Sequence, residues 1–262
     1  MDSVHPCLAA IKHTIPQLLR ENLVGIYLHG SYALEDFDYD RSDLDYLIVV
    51  KVPLKLSEKE ALMKLTMEKL WTLAPAKKLE FHVLLQTDLQ DWTTSNRFDF
   101  HFSPYHLAAY LKDPRTFCLK MNGLDQDLWT HIPVTKTCGV TLVGAKKEQS
   151  FPDIPEAIYW NSILADIATA ETEILKNPVY TILNLCRSLA FLKDKCILSK
   201  RAGGYWALLH TSTLNPAVIQ AALDAHTKSR AFPQNFSQQE LENFALSSLK
   251  QISSLSHKGG TP

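Results

Sequence analysis

Gly30-Ser31 and, after ten intervening residues, Ser42-Asp43-Leu44-Asp45 stand at the ends of two consecutive apolar runs, Leu23–His29 and Leu44–Val50. Asp43 and Asp45 lie two positions apart in a segment with strand character, so both carboxylates leave the same face. Like charges held that close repel, and a divalent cation bound between carboxylates relieves the repulsion. The Ser31 hydroxyl and the amides around Gly30 are donors of the kind that cradle terminal phosphates. A magnesium–nucleotide site is the chemistry these residue types suit.

Glu80 opens a third apolar run, Glu-Phe-His-Val-Leu-Leu, that ends at Leu85 and is expected to neighbour the Asp43–Asp45 strand. A carboxylate among other acids has a raised pKa, which suits a general base for an attacking hydroxyl. Taken alone, Glu80 is equally a solvated strand-end glutamate. His82 shares its face and His29 precedes the glycine turn; each is either a partner of the acids or a histidine satisfied by backbone. His101 and His106 lack metal-ligand spacing and are assigned no metal. Arg187 sits in the apolar run Thr181–Arg187 and requires an anion, either an internal carboxylate or a bound phosphate. Lys193, Lys195, Lys200 and Arg201 follow it, with Lys193 and Lys195 expected to be solvated.

These side chains need a framework. Apolar spacing predicts a helix over 5–21, strands over 23–29 and 44–50, and a Ser57-capped helix over 58–71 before Pro75. A strand over 80–85 follows. The stretch from Trp92 to Tyr110, with Phe98, Phe100, Phe102 and Tyr105, either packs at a domain junction or walls a substrate cleft; rings can do both. Residues 127–144 are expected to be briefly helical and then extended. Pro152, Asp153 and Pro155 mark a linker, and helices are predicted over 156–176, 178–195, 203–211, 215–226 and 238–255. The tail 256–262 is expected to be disordered. The fold class is therefore α+β in two domains. A mixed sheet with helices occupies 1–150, and an all-α bundle occupies 151–262.

A net charge of −1 provides no global basic field, which weighs against nucleic-acid partners. Five scattered cysteines without a C-x-x-C pair suggest neither zinc nor a disulfide framework. No apolar run reaches membrane-spanning length, and no signal sequence is evident. A reduced, cytoplasmic monomer is expected.

Together these segments resemble the aminoglycoside adenylyltransferases of the streptomycin/spectinomycin type, within the polymerase-β-like nucleotidyltransferase superfamily. The resemblance rests on Gly25–Ser31, Ser42–Asp45, Leu79-Glu80-Phe81, Val140–Gly144 and Thr181–Lys200. It implies magnesium on Asp43 and Asp45, Glu80 as catalytic base, and triphosphate contacts from Gly30, Ser31, Ser42, Arg187 and Lys200. His226 aligns with a tyrosine that packs near the nucleotide. Phe102, Ser103 or Tyr105 lies where the family has a drug-contacting tryptophan, and Glu173 and Asn177 align with its two drug-contacting acids. The implied reaction joins two domains: AMP passes from ATP to an antibiotic hydroxyl and pyrophosphate leaves. The alternatives are the same transfer to a lincosamide, a metabolite or a protein, or a non-catalytic nucleotide-binding protein of the toxin–antitoxin kind.

Overall fold

The computed structural model describes residues 3–90 and 96–258; Trp92 and the tail residues Gly259 to Pro262 lie outside the described residues. The chain divides into two compact units, Met1–Ile158 and Tyr159–Pro262. The division falls inside the helix Glu156–Ile167, beyond the proline-rich linker.

The first unit is built on a mixed sheet. Its strands are β1 (Leu23–Leu28), β2 (Leu44–Val50), β3 (Leu79–Leu85), β4 (Arg97–Phe98), β5 (Phe100–Phe102), β6 (Gly123–Leu124) and β7 (Val140–Gly144). Five of them form one sheet in the order β5-β3-β2-β1-β7, while β4 and β6 pair separately. Among the described residues only the β2–β3 pairing is parallel; β1 runs antiparallel to β2 and β7, and β5 antiparallel to β3. The parallel pair places Asp45 opposite Glu80 and Leu47 opposite His82.

Strand alternation sorts the side chains into two layers. Tyr46, Ile48, Val50, Phe81, Val83, Phe100 and Phe102 enter one core with Ile11 and Ile15 of the helix His5–Leu19 and with Leu62 and Met63 of the helix Leu56–Leu65. Tyr27, Leu47, Val49 and Leu84 enter the opposite core, covered by Leu128 and Ile132 of the helix Leu128–Cys138. Asp45, Glu80 and His82 have the parity of this second layer, so the sheet itself holds the acids and the first aromatic core apart.

Several expected boundaries shift for local reasons. The second helix starts at Leu56 rather than after Ser57, because the Glu58 carboxylate accepts the Lys55 backbone N–H at 2.7 Å. It continues through a π-helical segment, Thr66–Leu70, to Leu73. The first helix ends at Leu19 and tightens into a 3₁₀ turn over Arg20–Asn22.

In the second unit, residues 156–176 form two helices, Glu156–Ile167 and Ala170–Lys176. The break comes at Thr169, whose carbonyl accepts the N–H groups of Thr172 and Glu173 and restarts the ladder. Pro178–Asp194 is the central helix, with Thr181–Cys186 and Ser188–Phe191 buried, packed by Lys200–His210, Pro216–Lys228 and Gln238–Lys258. Ser199 caps Lys200–His210 by accepting the Ala202 N–H, so Lys200 is that helix's first residue. The last helix runs to Lys258, so Ser256, assigned above to a disordered tail, is helical; its hydroxyl donates to the Ile252 carbonyl. Among the described residues, no helix is long and apolar enough to cross a membrane.

Candidate active site

β1 ends at Leu28, and the His29 N–H donates to the Asp45 carbonyl at 3.1 Å, tying the turn to β2. Gly30 adopts φ +58 and opens a single helical turn, Gly30–Ala33. A Cβ at Gly30 would collide with Asp45 Oδ2, so only glycine lets the turn lie against that carboxylate. Ser31 Oγ is buried without a hydrogen-bond partner beside this contact. The intervening loop folds on itself: the Asp38 N–H donates to Ser42 Oγ, the Ser42 N–H donates to the Asp38 carbonyl, and Arg41 pairs with Asp38 at 2.6 Å.

The three acids converge. Asp43, Asp45 and Glu80 each offer a carboxylate oxygen within 4.8 Å of the others. Burial, then the charges of Asp43, Asp127 and Asp125, push the Glu80 carboxyl up to about 7. Glu80 is thus proton-accepting near neutrality, where an unperturbed glutamate would be a weaker base. Oxygen-only donors of this kind suit a hard divalent cation such as magnesium.

Behind Glu80 lies a cluster that sequence spacing did not reveal. His82 and His101 stack with ring centroids 3.8 Å apart and 14° between planes, while His131 packs 4.7 Å from His29 and 5.8 Å from His82. His82 Nε2 donates to Asp125 Oδ2 at 2.9 Å, and His101 Nδ1 donates to the Phe81 carbonyl at 3.0 Å. Burial works against the Asp125 charge, but the bonds from His82 and the Asp127 N–H hold its carboxyl well below the usual range. Burial pushes His101 and His131 down to about 3, and His29 well below its ordinary value. Glu80, His82 and His101 also offer ligand atoms within 4.8 Å. Two of the four ring nitrogens of the stacked pair, His82 Nε2 and His101 Nδ1, are already engaged by Asp125 and the Phe81 carbonyl.

The residues aligned with an aromatic drug contact separate. Phe102 pairs with Phe81 and is fully buried among Trp71, Phe81, Tyr110 and Phe117. Its parity sends the ring to the face opposite Glu80. Ser103 is buried at the end of β5, its carbonyl accepting the His106 N–H. Tyr105 is 89% exposed.

The second unit holds its own cavity of about 440 Å³, whose partly apolar wall (Ile167, Ala170) carries the polar groups of Asp166, Glu173, Asn177, Tyr180, Thr181 and Asn184. Tyr180 OH donates to Asp166 Oδ1 at 2.8 Å and Asn184 Nδ2 to Asp166 Oδ2 at 2.9 Å. Thr181 Oγ1 and Asn184 Oδ1 are buried without a partner. Arg187 lies one turn along the same helix from Asn184, 3.8 Å from Asp166, and Lys200 Nζ sits 4.7 Å over the Tyr180 ring. His226 is half-buried in the last turn of Pro216–Lys228. Glu173, Asn177, Arg187 and Lys200 are therefore neighbours through Asp166 and Tyr180, whereas His226 is on another helix.

Comparison with known proteins matches these two units separately. A nucleotidyltransferase domain model covers residues 11–102, and a model of the C-terminal domain of aminoglycoside adenylyltransferases covers 149–251. The chain is 24% identical over 202 residues to spectinomycin 9-adenylyltransferase of Enterococcus faecalis, spanning 74% of this chain and 76% of that protein. The fold is similar to the crystal structure of an Enterococcus spectinomycin adenylyltransferase with ATP and spectinomycin, with TM-score 0.69 and 20% identity. That likeness covers 97% of this chain and all (100%) of the other. With a nucleotidyltransferase sheet carrying three convergent acids and the helical domain of these enzymes after it, the chain belongs to the aminoglycoside adenylyltransferase family of nucleotidyltransferases.

Proposed function

We propose that this nucleotidyltransferase moves AMP from magnesium-bound ATP to a hydroxyl of an aminocyclitol or aminoglycoside antibiotic, spectinomycin or streptomycin, so conferring resistance. The observation that carries this is the convergence of Asp43, Asp45 and Glu80, with Glu80 raised to about 7. Asp43 and Asp45 would hold the magnesium, whose charge offsets that of the triphosphate and of the leaving pyrophosphate. Glu80 takes the proton of the acceptor hydroxyl as that oxygen attacks the α-phosphorus and the bond to pyrophosphate breaks. Ser31, with its buried hydroxyl lacking a partner, and the amides at Gly30 supply phosphate donors. Ser42, whose hydroxyl oxygen accepts the Asp38 N–H and closes the loop after that turn, adds a further hydroxyl donor for the triphosphate.

Arg187 and Lys200 are assigned to the triphosphate, and His226 to the nucleotide's surroundings. The cavity with Glu173 and Asn177 is assigned to the acceptor. Two carboxylates plus buried oxygens without partners form an acceptor-rich lining, which suits a ligand bearing ammonium and hydroxyl donors. We infer the same division of labour for the domains expected over 1–150 and 151–262. The substrate named for both relatives, spectinomycin, supports the choice of an antibiotic over a metabolite or protein acceptor.

The test is pyrophosphate release from ATP and magnesium with a drug panel containing spectinomycin and streptomycin. Release that depends on one of these drugs is the expected result. Failure with every drug, alongside a working control enzyme, defeats the reading; an AMP adduct formed without drug redirects it to another acceptor.

A further inference from the structure

We propose that Asp166 is a positioning residue that holds the Arg187 guanidinium ready for the phosphates of the nucleotide. The inference rests on the reading above that Arg187 meets those phosphates. Asp166 lies near the end of one helix, Glu156–Ile167, and meets three side chains of another, Pro178–Asp194. Tyr180 donates to one carboxylate oxygen at 2.8 Å and Asn184 to the other at 2.9 Å. These two bonds fix the plane of the carboxylate. Arg187 lies on the Oδ2 side at 3.8 Å, longer than the ~2.7–2.9 Å of a charge-assisted hydrogen bond. The guanidinium is therefore oriented by an attractive charge without being locked into a forked pair that would consume its donors.

The base of the arginine is fixed from the other side. Gly203 lets the helix Lys200–His210 approach so closely that a Cβ there would stand 2.6 Å from Arg187 Cβ. Arg187 is thus held at both ends of its side chain, by packing at Cβ and by charge at the head. Both groups of the pair are about one-third exposed, so the ion pair itself adds little to stability. Its consequence is orientation, which lowers the cost of ordering a flexible side chain when an anion binds.

The test is a double-mutant cycle on equilibrium binding of magnesium-ATP, measured by calorimetry on the full chain. Arg187→Gln is expected to weaken binding about 10–100-fold and Asp166→Asn about 3–10-fold, while the double variant matches Arg187→Gln within about twofold. Such non-additivity identifies groups acting through each other; a residue that merely stabilised the fold would add its loss in either background. Additive losses, or an Asp166→Asn variant that binds as tightly as the parent, overturn the inference while leaving the nucleotide reading intact. An Arg187→Gln variant with unaltered affinity overturns both. Asp166→Ser, which removes the charge at the same partly exposed position, gives a second reading of the cycle should the asparagine variant fail to fold.

Discussion

The acid face of the sheet unit and the cavity of the helical unit solve different problems with similar atoms. On the sheet, Asp45 and Glu80 are opposite partners of a parallel pair, so backbone hydrogen bonds set their spacing. In the cavity, Asp166 is set by side chains, Tyr180 and Asn184, reaching from a neighbouring helix. The first arrangement is stiff and charged; the second mixes carboxylates with neutral oxygens that lack partners. Rigid geometry suits a reaction whose atoms never change, whereas an adjustable lining suits recognition of one ligand among many.

The contrast breaks most easily at Glu80. Glu80→Gln is expected to slow pyrophosphate release about 10²–10⁴-fold with magnesium-ATP binding retained; loss of that binding would make Glu80 a cation ligand and the sheet site a three-carboxylate cage. Next is the claim that the sheet separates chemistry from core. Phe102→Ala is expected to destabilise the protein by about 3–5 kcal/mol in urea melts, without a selective change in acceptor KM. A KM effect at unchanged stability would return Phe102 to the substrate.

The histidine stack predicts a smaller, pH-dependent effect. Burial holds His29, His101 and His131 neutral in the folded state, the latter two down to about 3. Their stabilising contribution is complete above the unfolded value of 6.5 and is lost as pH falls, because the unfolded chain then binds protons that the folded chain refuses. His101 and His131 each cost about 2 kcal/mol between pH 7 and pH 5, and His29 acts in the same direction. Glu80, raised to about 7, runs the other way in that window and offsets about one of them. Urea melts at both pH values should show a net loss, and His131→Leu should make it shallower; an unchanged slope would mean the ring is charged when folded. The smallest effect belongs to the cavity. Thr181→Val removes a buried hydroxyl with no partner, so stability is expected to rise by about 1 kcal/mol while the acceptor KM rises about 3–10-fold. A rise in stability alone would leave the hydroxyl without a part in recognition.

What could be seen in the chain beforehand follows the same division. β1, β2 and β3 announce themselves as apolar runs, and the acids sit at their ends, so local pattern was enough to bring Asp43, Asp45 and Glu80 together. The stack was invisible because His29, His82, His101 and His131 are joined only by strand order and by the helix Leu128–Cys138. The face that Phe102 occupies was not legible, because its aromatic neighbours show in the chain while its register opposite Phe81 does not. Asp166 carried no signal at all. Its spacing from Tyr180, Asn184 and Arg187 has meaning only once the break at Thr169 turns one expected helix into two.

The parallel pairing of β2 with β3 has a consequence for inheritance. Because Asp45 and Glu80 are aligned by the ladder between two strands, the ten residues from Tyr32 to Arg41 can lengthen, shorten or change composition without shifting either acid. A lineage can therefore vary the outward-facing residues of that loop while the two acids keep their spacing, provided the Asp38–Ser42 contacts that close it are kept.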